Sequence, residues 1–328
     1  MKNMKAVIYE EYGSPDVLSI QTIPKPAIKE KEVLVRVFAT TVTAEDPKQR
    51  SLNFPFLIRL PYRLMFGFFR PKNKILGMEF AGRIEEIGSE VSRWKVGDRI
   101  YGYTGLSFGA YAEYKAIPEE GLYAPIPDSV SYEKIVGITN GALSANVFLE
   151  KKGKLRQSDN ILIFGASGSV GTAAVQLAKA AGATVTAVSS TRNVELVRSL
   201  GADRVIDYTK EDFQKSGEKY DIIFDTIGAT NHSKCIDMLN PGGRLLLTEF
   251  GFSTMLRVLW HSIFGSKRIV IGASNFHWKP EDLERFNAMI SAGRLSAVVD
   301  RAYPIEEIAE AHRYVESGRK RGNVVITV

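Results

Sequence analysis

Cysteine is almost absent from this chain of 328 residues: Cys235 stands alone, which rules out an intrachain disulfide and a multi-thiolate metal site. The four histidines, His232, His261, His277 and His312, are scattered along the sequence. No uncharged apolar run reaches the length of a membrane span. The first residues, "MKNMKAVIYEEYG", alternate like a strand and build no apolar core of a secretion signal. Internal repeats and low-complexity tracts are missing too. Together these absences make a reducing, cytoplasmic location the expectation. What is present is a globular composition, 45% hydrophobic and 24% charged, with length for one large domain or two ordinary ones. The net charge of +6 reads as a solvated surface with spare lysines or as attraction to anions: phosphate-rich cofactors, nucleic acid or acidic lipid.

Up to about Tyr123 the chain reads as short strands broken by Gly and Pro, among them "KAVIYE", "EVLVRVFAT", "FAGRIEEIG", "DRIYGY" and "AYAEYKAI", with no long helical period. In "PDSVSYEKIVGITNGALSANVFLEKKGKL" apolar residues recur at helical spacing, with Ser129 or Ser131 as the cap. Strand and helix then alternate. "NILIF", "TVTAV", "DRVID", "YDIIFDT", "GRLLLTE" and "RIVIGA" read as strands, and "GTAAVQLAKAAG" and "NVELVRSLG" as helices closed by Gly182 and Gly201. Such a series builds a parallel sheet with helices on both faces. Two more helices, "EDLERFNAMISAG" and "IEEIAEAHRYVESG", and a final strand, "NVVITV", end the chain.

In "NILIFGASGSVGTAAVQLAKAAG" a strand runs into Gly165, Gly168 and Gly171 and then into a helix. Backbone N–H groups at a helix start lack intrahelical partners, and the helix dipole favours negative charge there. Gly168 lets a pyrophosphate approach the backbone, while Gly171 and Ala173 let the helix lie near the strand. A tight packing turn without a ligand is the plainer alternative. An NAD site carries an acid about 20 residues on; here "TAVSSTRNVE" puts Val188, Ser189 and Ser190 there, followed by Arg192. Hydroxyls and a guanidinium suit a 2′-phosphate, although Arg192 also suits a solvated first turn. NADPH is the expected cofactor.

Taken with "ILGMEFAGRIEEIGSEVSRWKVGDRIYGY" (75–103), "GAYAEYKAIP" (109–118), "SLGADRVIDYTKEDF" (199–213) and the terminal "KRGNVVITV", this arrangement resembles the medium-chain dehydrogenase/reductase superfamily. Within it, the chain is similar to the zinc-free quinone oxidoreductase (zeta-crystallin-like) branch. The resemblance implies an α/β fold in two domains. Residues 1–125 and 275–328 would form a GroES-like β-rich catalytic domain, and 126–274 a Rossmann doubly wound parallel-sheet nucleotide-binding domain. Nicotinamide and acceptor would meet in the cleft between them. By position, Ser167, Gly168, Val170 and Gly171 would meet the pyrophosphate. Ser190, Arg192, Asn193 and Tyr208 would meet the adenosine phosphate, and Ser274, Asn275 and Asn323 the nicotinamide half. A homodimer is implied, with 268–274 as a candidate pairing edge. Zinc-dependent relatives carry Gly-His-Glu where this chain has "GME", so Met78 replaces the histidine. They also carry an early cysteine where "ATTVTAEDPKQR" offers Thr43, and a four-cysteine lobe missing here. No metal is expected.

Without a Lewis acid, alcohol oxidation loses its main driving element. The expected reaction is hydride transfer from NADPH to an electron-poor acceptor, a quinone or an α,β-unsaturated carbonyl, with the protein supporting charge on the acceptor oxygen. The catalytic candidates are Thr43, where the branch commonly has Asn, Ser144 in "GALSA", and Lys48, which follows Asp46 in a D-x-K pattern. Packing or local hydrogen bonding is the alternative for each. A short-chain dehydrogenase is excluded because the glycine loop begins only at Gly165. The rival functions are a non-catalytic NADPH- or RNA-binding protein of this family shape, or a reductase of another small carbonyl. No nucleic-acid partner is expected, because no basic stripe with interleaved aromatics occurs outside 54–74. That segment holds Arg59, Arg63, Arg70, Lys72 and Lys74 and no acid, and its Pro55, Pro61 and arginines exclude a membrane-spanning helix. It reads as a mobile lid over a bulky acceptor, with peripheral contact to an anionic membrane, or as a core or subunit contact.

Overall fold

In the computed structural model, which describes residues 2–54, 56–213, 217–228, 230–249, 267–272 and 278–328, one long strand organises the first unit. Glu32–Val42 is rich in β-branched residues and almost continuously buried. One edge pairs antiparallel with Glu79–Ile87. The other edge is shared, its first half taken by Tyr114–Pro118 and its second by Asn323–Thr327. That sharing returns the end of the chain to its beginning. Arg99–Tyr103 and Leu122–Pro125 extend the sheet on one side and Val299–Pro304 on the other, giving seven strands. Val33, Val35 and Val37 pack with Phe80, Ile84, Trp94 and Ile100, each burial contributing about 1.5–3 kcal/mol.

This unit comprises residues 1–139, 283–287 and 298–328. Its exchange points differ from the 125/126 and 274/275 read from the sequence. The reason is the short helix Tyr132–Val136: Ser131 caps it by accepting from the Lys134 N–H, and Tyr132 stacks on Phe38 with centroids 4.7 Å apart. Two helices in the β-rich part, Glu45–Ser51 and Phe56–Phe66, also depart from the sequence reading. The second forms although Pro61 removes an internal donor, because its inner residues find aromatic partners: Tyr62 stacks on Phe54, and Phe66 packs edge-on against Phe108.

The second unit, residues 140–282 and 288–297, holds six parallel strands. Numbered along the chain from Asn160–Phe164 to Arg268–Ile271, they lie in the order 3-2-1-4-5-6. This is the doubly wound order, in which ligands bind beyond the strand C-termini where the winding reverses. The apolar runs are needed because both faces are covered: Leu162, Phe164, Ile206, Ile223, Leu245 and Leu247 share one cluster with Cys235.

A polar network lies buried in the first unit. Arg50 donates through Nε to Gly13 O (3.1 Å), through one terminal nitrogen to His312 Nδ1 (2.9 Å), and through the other to Glu316 (2.6 Å). Since the guanidinium only donates, His312 Nδ1 accepts and its proton sits on Nε2, which is buried with no partner among the described residues. Burial, aided by the Arg50 charge, pushes the His312 pKa down to about 3 from 6.5. The unfolded chain therefore takes up this proton first. The contribution of His312 is intact above its unfolded pKa and lost by roughly 1.4 kcal/mol per pH unit as pH falls toward about 3. Asp46 acts in the opposite sense, since burial raises it to about 6 from 3.8; the folded state binds its proton more tightly, and stability is lost as pH rises through that window. His312→Gln should remove the first slope and leave the second. Urea unfolding at about pH 4.5 and about pH 7 should find the variant gaining on the parent protein at the lower pH; a pH-independent difference would contradict a neutral His312.

Candidate cofactor and acceptor sites

Each glycine of the loop 165–171 answers to a different steric demand. Gly165 has φ +68°, and a Cβ there would lie 2.6 Å from Ile227 and Thr226, so only glycine makes this turn without strain. A Cβ on Gly171 would lie 2.1 Å from Gly165 O and 2.7 Å from Ala166 Cα; its absence lets the helix Ser169–Ala180 press against the loop. Gly168 differs from both. It caps that helix in extended conformation with no side chain bonded to the first turn, and a Cβ would meet only Gly165 O, at 3.4 Å. Among the described residues this side is open at the helix start, where backbone donors and dipole favour an anion.

Asn193 ties the glycine loop to the end of the second strand. It is buried, and its Nδ2 donates to Ser167 Oγ (2.9 Å) and Ser190 Oγ (3.4 Å). A serine hydroxyl that accepts in this way keeps its own proton to donate outward. Asn193 Oδ1 is buried without a partner among the described residues. Beyond the strand Thr184–Ser189, Arg192 is exposed, and Tyr208 is exposed one residue past Arg204–Asp207. No carboxylate occupies residues 188–190. The nearby acid, Asp207, accepts from Thr191 Oγ1 (2.6 Å), Thr209 Oγ1 (2.7 Å) and Thr209 N–H (3.1 Å). These bonds, that of Thr191 foremost, hold its pKa down at about 2. The sequence reading passed over Asp207; Thr209, two residues on, was its one local signal, and only the fold brings Thr191 to it. Val170 is half-buried in the first helical turn.

In the first unit, Thr43 directly follows the strand Glu32–Val42. Its hydroxyl donates to Asp46 Oδ2 (2.6 Å), which also accepts the Thr43 N–H (2.8 Å). The hydroxyl hydrogen is thus committed to Asp46, a constraint absent from the sequence reading. Lys48 is half-buried and pairs with Glu45 at 3.2 Å. Met78, at the matched histidine position, is buried and receives hydrogen bonds from Tyr103 Oη (3.1 Å) and Gln49 Nε2 (3.9 Å) on its sulfur. Glu79 is buried and accepts from Thr41 Oγ1. Burial raises the Tyr103 phenol well above its ordinary value. Next to these groups lies a narrow hollow of about 10 Å³, room for about one water, with walls from Tyr9, Leu52, Tyr62, Phe66 and Phe108 and with Gln49 in its lining. Gln49 Oε1 is buried there without a partner among the described residues. Tyr103 and Gln49 were missed because neither carries a motif; only the fold sets them beside Met78.

The remaining candidates belong to different units. Ser144 is buried in the second unit, on the helix Thr139–Asn146, with its hydroxyl 3.3 Å from Asn140 Oδ1. Asn323 lies in the first unit and donates through Nδ2 to Val298 O (3.1 Å), pinning the start of its strand. Ser274 and Asn275 lie outside the described residues.

A GroES-like β-rich unit and a doubly wound parallel sheet with an open glycine loop define a dehydrogenase of the medium-chain type. Residues 29–128 match the alcohol dehydrogenase GroES-like domain family and residues 200–326 the family described as zinc-binding dehydrogenase. The chain is 32% identical to the chloroplastic NADPH-dependent alkenal/one oxidoreductase of Arabidopsis thaliana, covering 99% of this chain and 80% of that protein. It is 28% identical to the quinone oxidoreductase of Homo sapiens, covering 97% and 95%. Its fold matches the quinone oxidoreductase structure from Coxiella burnetii with a TM-score of 0.86 and 27% identity over 100% of both chains. The chain belongs to the medium-chain dehydrogenase/reductase superfamily.

The glycine geometry separates two substitutions. Gly171→Ala should destabilise the protein by roughly 1–3 kcal/mol, because a backbone oxygen stands in its way. Gly168→Ala should stay within about 0.5 kcal/mol of the parent. Denaturant midpoints at constant slope measure the difference; equal losses would mean that both glycines serve internal packing.

Proposed function

We propose that the protein is an NADPH-dependent reductase that passes a hydride to a quinone or an α,β-unsaturated carbonyl without zinc. The observation that carries this reading is the open side of Gly168, among the described residues, at a helix start with no side-chain cap, in a chain with no acid at the end of the neighbouring strand. NADPH, when bound, supplies the hydride. The protein's part is to seat the coenzyme and support charge. Ser167, Gly168, Val170 and Gly171 hold the pyrophosphate through backbone donors and the Ser167 hydroxyl that Asn193 orients. Ser190, Arg192 and Tyr208 take the 2′-phosphate, the Arg192 guanidinium supplying the positive charge. Ser274, Asn275 and Asn323 are assigned to the nicotinamide half.

On the acceptor side, Lys48 offers a cation and Ser144 a hydroxyl for the negative charge that develops on the acceptor oxygen. Thr43, its hydrogen given to Asp46, acts through position. The donor set does not fit zinc, which takes three or four N, S or O ligands from His, Cys or carboxylates. Met78 and Thr43 stand at the matching places, and no three His, Cys, Asp or Glu side chains converge among the described residues. No step is routed through a metal.

A homodimer through the edge strand Arg268–Ile271 belongs to the same reading, since that strand ends its sheet among the described residues. So does a cytoplasmic location, which suits the single buried thiol of Cys235.

Loss of reduced nicotinamide absorbance against a panel of quinones and enones tests the whole reading. Charge-assisted bonds to phosphate are worth about 1.5–3 kcal/mol, so Arg192→Ala should raise the KM for NADPH roughly 10- to 100-fold and leave NADH unaffected. Equal use of both coenzymes, unchanged in the variant, contradicts the 2′-phosphate assignment. Gly168→Ala should abolish NADPH binding in a fluorescence titration while the fold persists, and a chelator should leave turnover intact.

A further inference from the structure

The exposed large apolar side chains are not spread evenly over the described surface. Leu60 (56% exposed), Leu64 (63%), Met65, Phe68 and Phe69 (85%) fall within ten residues. Leu60 and Leu64 are one helical turn apart on the same face of Phe56–Phe66. Leu106, also exposed, adjoins them: its carbonyl accepts from Asn73 Nδ2 at 3.2 Å. Arg59, Arg63, Arg70 and Lys72 are interspersed with these residues, and no acid occurs from 51 to 78. Lys74 is offset by Glu10 at 2.7 Å.

The helix is held so that this face points outward. Tyr62 stacks on Phe54 with centroids 3.9 Å apart, and Phe66 packs on Phe108. Tyr12 Oη donates to Phe66 O and Gly67 O (3.0 and 2.8 Å). The Lys72 N–H donates to Phe66 O (2.8 Å) and its ammonium to Leu64 O (3.1 Å), closing the C-terminal turn. Arg63 lies over the Phe68 ring. Turning the apolar face inward would break these contacts, so the exposure is built into the fold. A contiguous exposed apolar patch of this kind marks an interaction surface.

We propose that this face docks the protein on an anionic lipid surface. Leu60, Leu64, Met65 and Phe69 enter the headgroup–acyl boundary, and Arg59, Arg63, Arg70 and Lys72 meet the anionic headgroups. Apolar residues flanked by cations on a short amphipathic helix and the turn that follows it have the chemistry of an interfacial anchor, and no helix among the described residues is long and apolar enough to cross a membrane. The charge also argues against a second copy of this chain. A twofold contact sets a patch against itself, and here four cations would face four cations with no acid in the segment to meet them. The inner face of the same helix carries Tyr62 and Phe66, which stay packed on Phe54 and Phe108 while the outer face meets the lipid. The docking itself holds whether or not the coenzyme assignment does.

Cosedimentation of the full chain with two kinds of vesicle tests it: phosphatidylcholine alone, and phosphatidylcholine with about a quarter phosphatidylserine. Binding should be at least roughly tenfold tighter to the anionic vesicles and should fall in molar salt, where the screening length shrinks to about 3 Å. The double substitution Leu64→Ser/Phe69→Ser should weaken it by roughly tenfold or more, and Arg59→Gln/Lys72→Gln should remove much of its salt dependence. Arg59, Leu64 and Phe69 are exposed, Lys72 is exposed with its ammonium on Leu64 O, and thermal melts followed by circular dichroism check that the variants fold. No binding, or equal binding to both vesicles, overturns the proposal. So does a dimer in light scattering that Leu64→Ser/Phe69→Ser dissolves while no vesicle binds. RNA binding that survives that double substitution, again without vesicle binding, assigns the cations to nucleic acid and overturns it equally.

Discussion

The contact on which the nucleotide-binding unit depends is the one between Gly171 and the carbonyl of Gly165. A helix can start directly behind a buried strand only if its first turn touches the loop that leads into it, and any side chain at residue 171 would occupy that space. With the contact made, the helix starts beside Gly168, where among the described residues a Cβ would meet only Gly165 O. The six-stranded order places this helix start at the reversal of winding, where a crevice exists in any doubly wound sheet. The donors, the dipole and the opening are consequences of one close approach.

The β-rich unit is organised by a different constraint, the shared edge of Glu32–Val42. That strand delivers Thr43 at its end, and the short helix behind it carries Asp46, Lys48 and Arg50. Arg50 is anchored to His312 and Glu316 on the helix Ile308–Glu316, which follows Val299–Pro304 in the returning tail. The buried charge is tolerated because its donors find acceptors, one of them a histidine kept neutral. Met78 fits this setting as a soft, apolar acceptor for Tyr103 and Gln49, in a place where a histidine would bring a basic nitrogen.

Much of this could be read before the fold was known. The glycine loop, the six strands of the parallel sheet and the missing acid after the second of them are local features, each set by a few neighbouring residues. The match to Gly-His-Glu with methionine in the middle was equally plain in the sequence. The helices Glu45–Ser51 and Phe56–Phe66 were not legible, the first because it is short and the second because Pro61 contradicts helical propensity. Its stability comes from Phe54 and Phe108, the latter more than forty residues away in sequence. Ser131 was legible as one of two possible caps, and only the observed helix start chose between Ser129 and Ser131.

The order of residues alone therefore determined the nucleotide-binding architecture, the family and the chemical kinds of side chain available, because turns, caps and strand patterns depend on near neighbours. The commitment of the Thr43 hydroxyl to Asp46, the neutral state of His312, the place of Tyr103 and Gln49 beside Met78, and the outward face of the helix 56–66 came from long-range packing. They depend on burial and on partners distant along the chain, which exist only once the strands have paired.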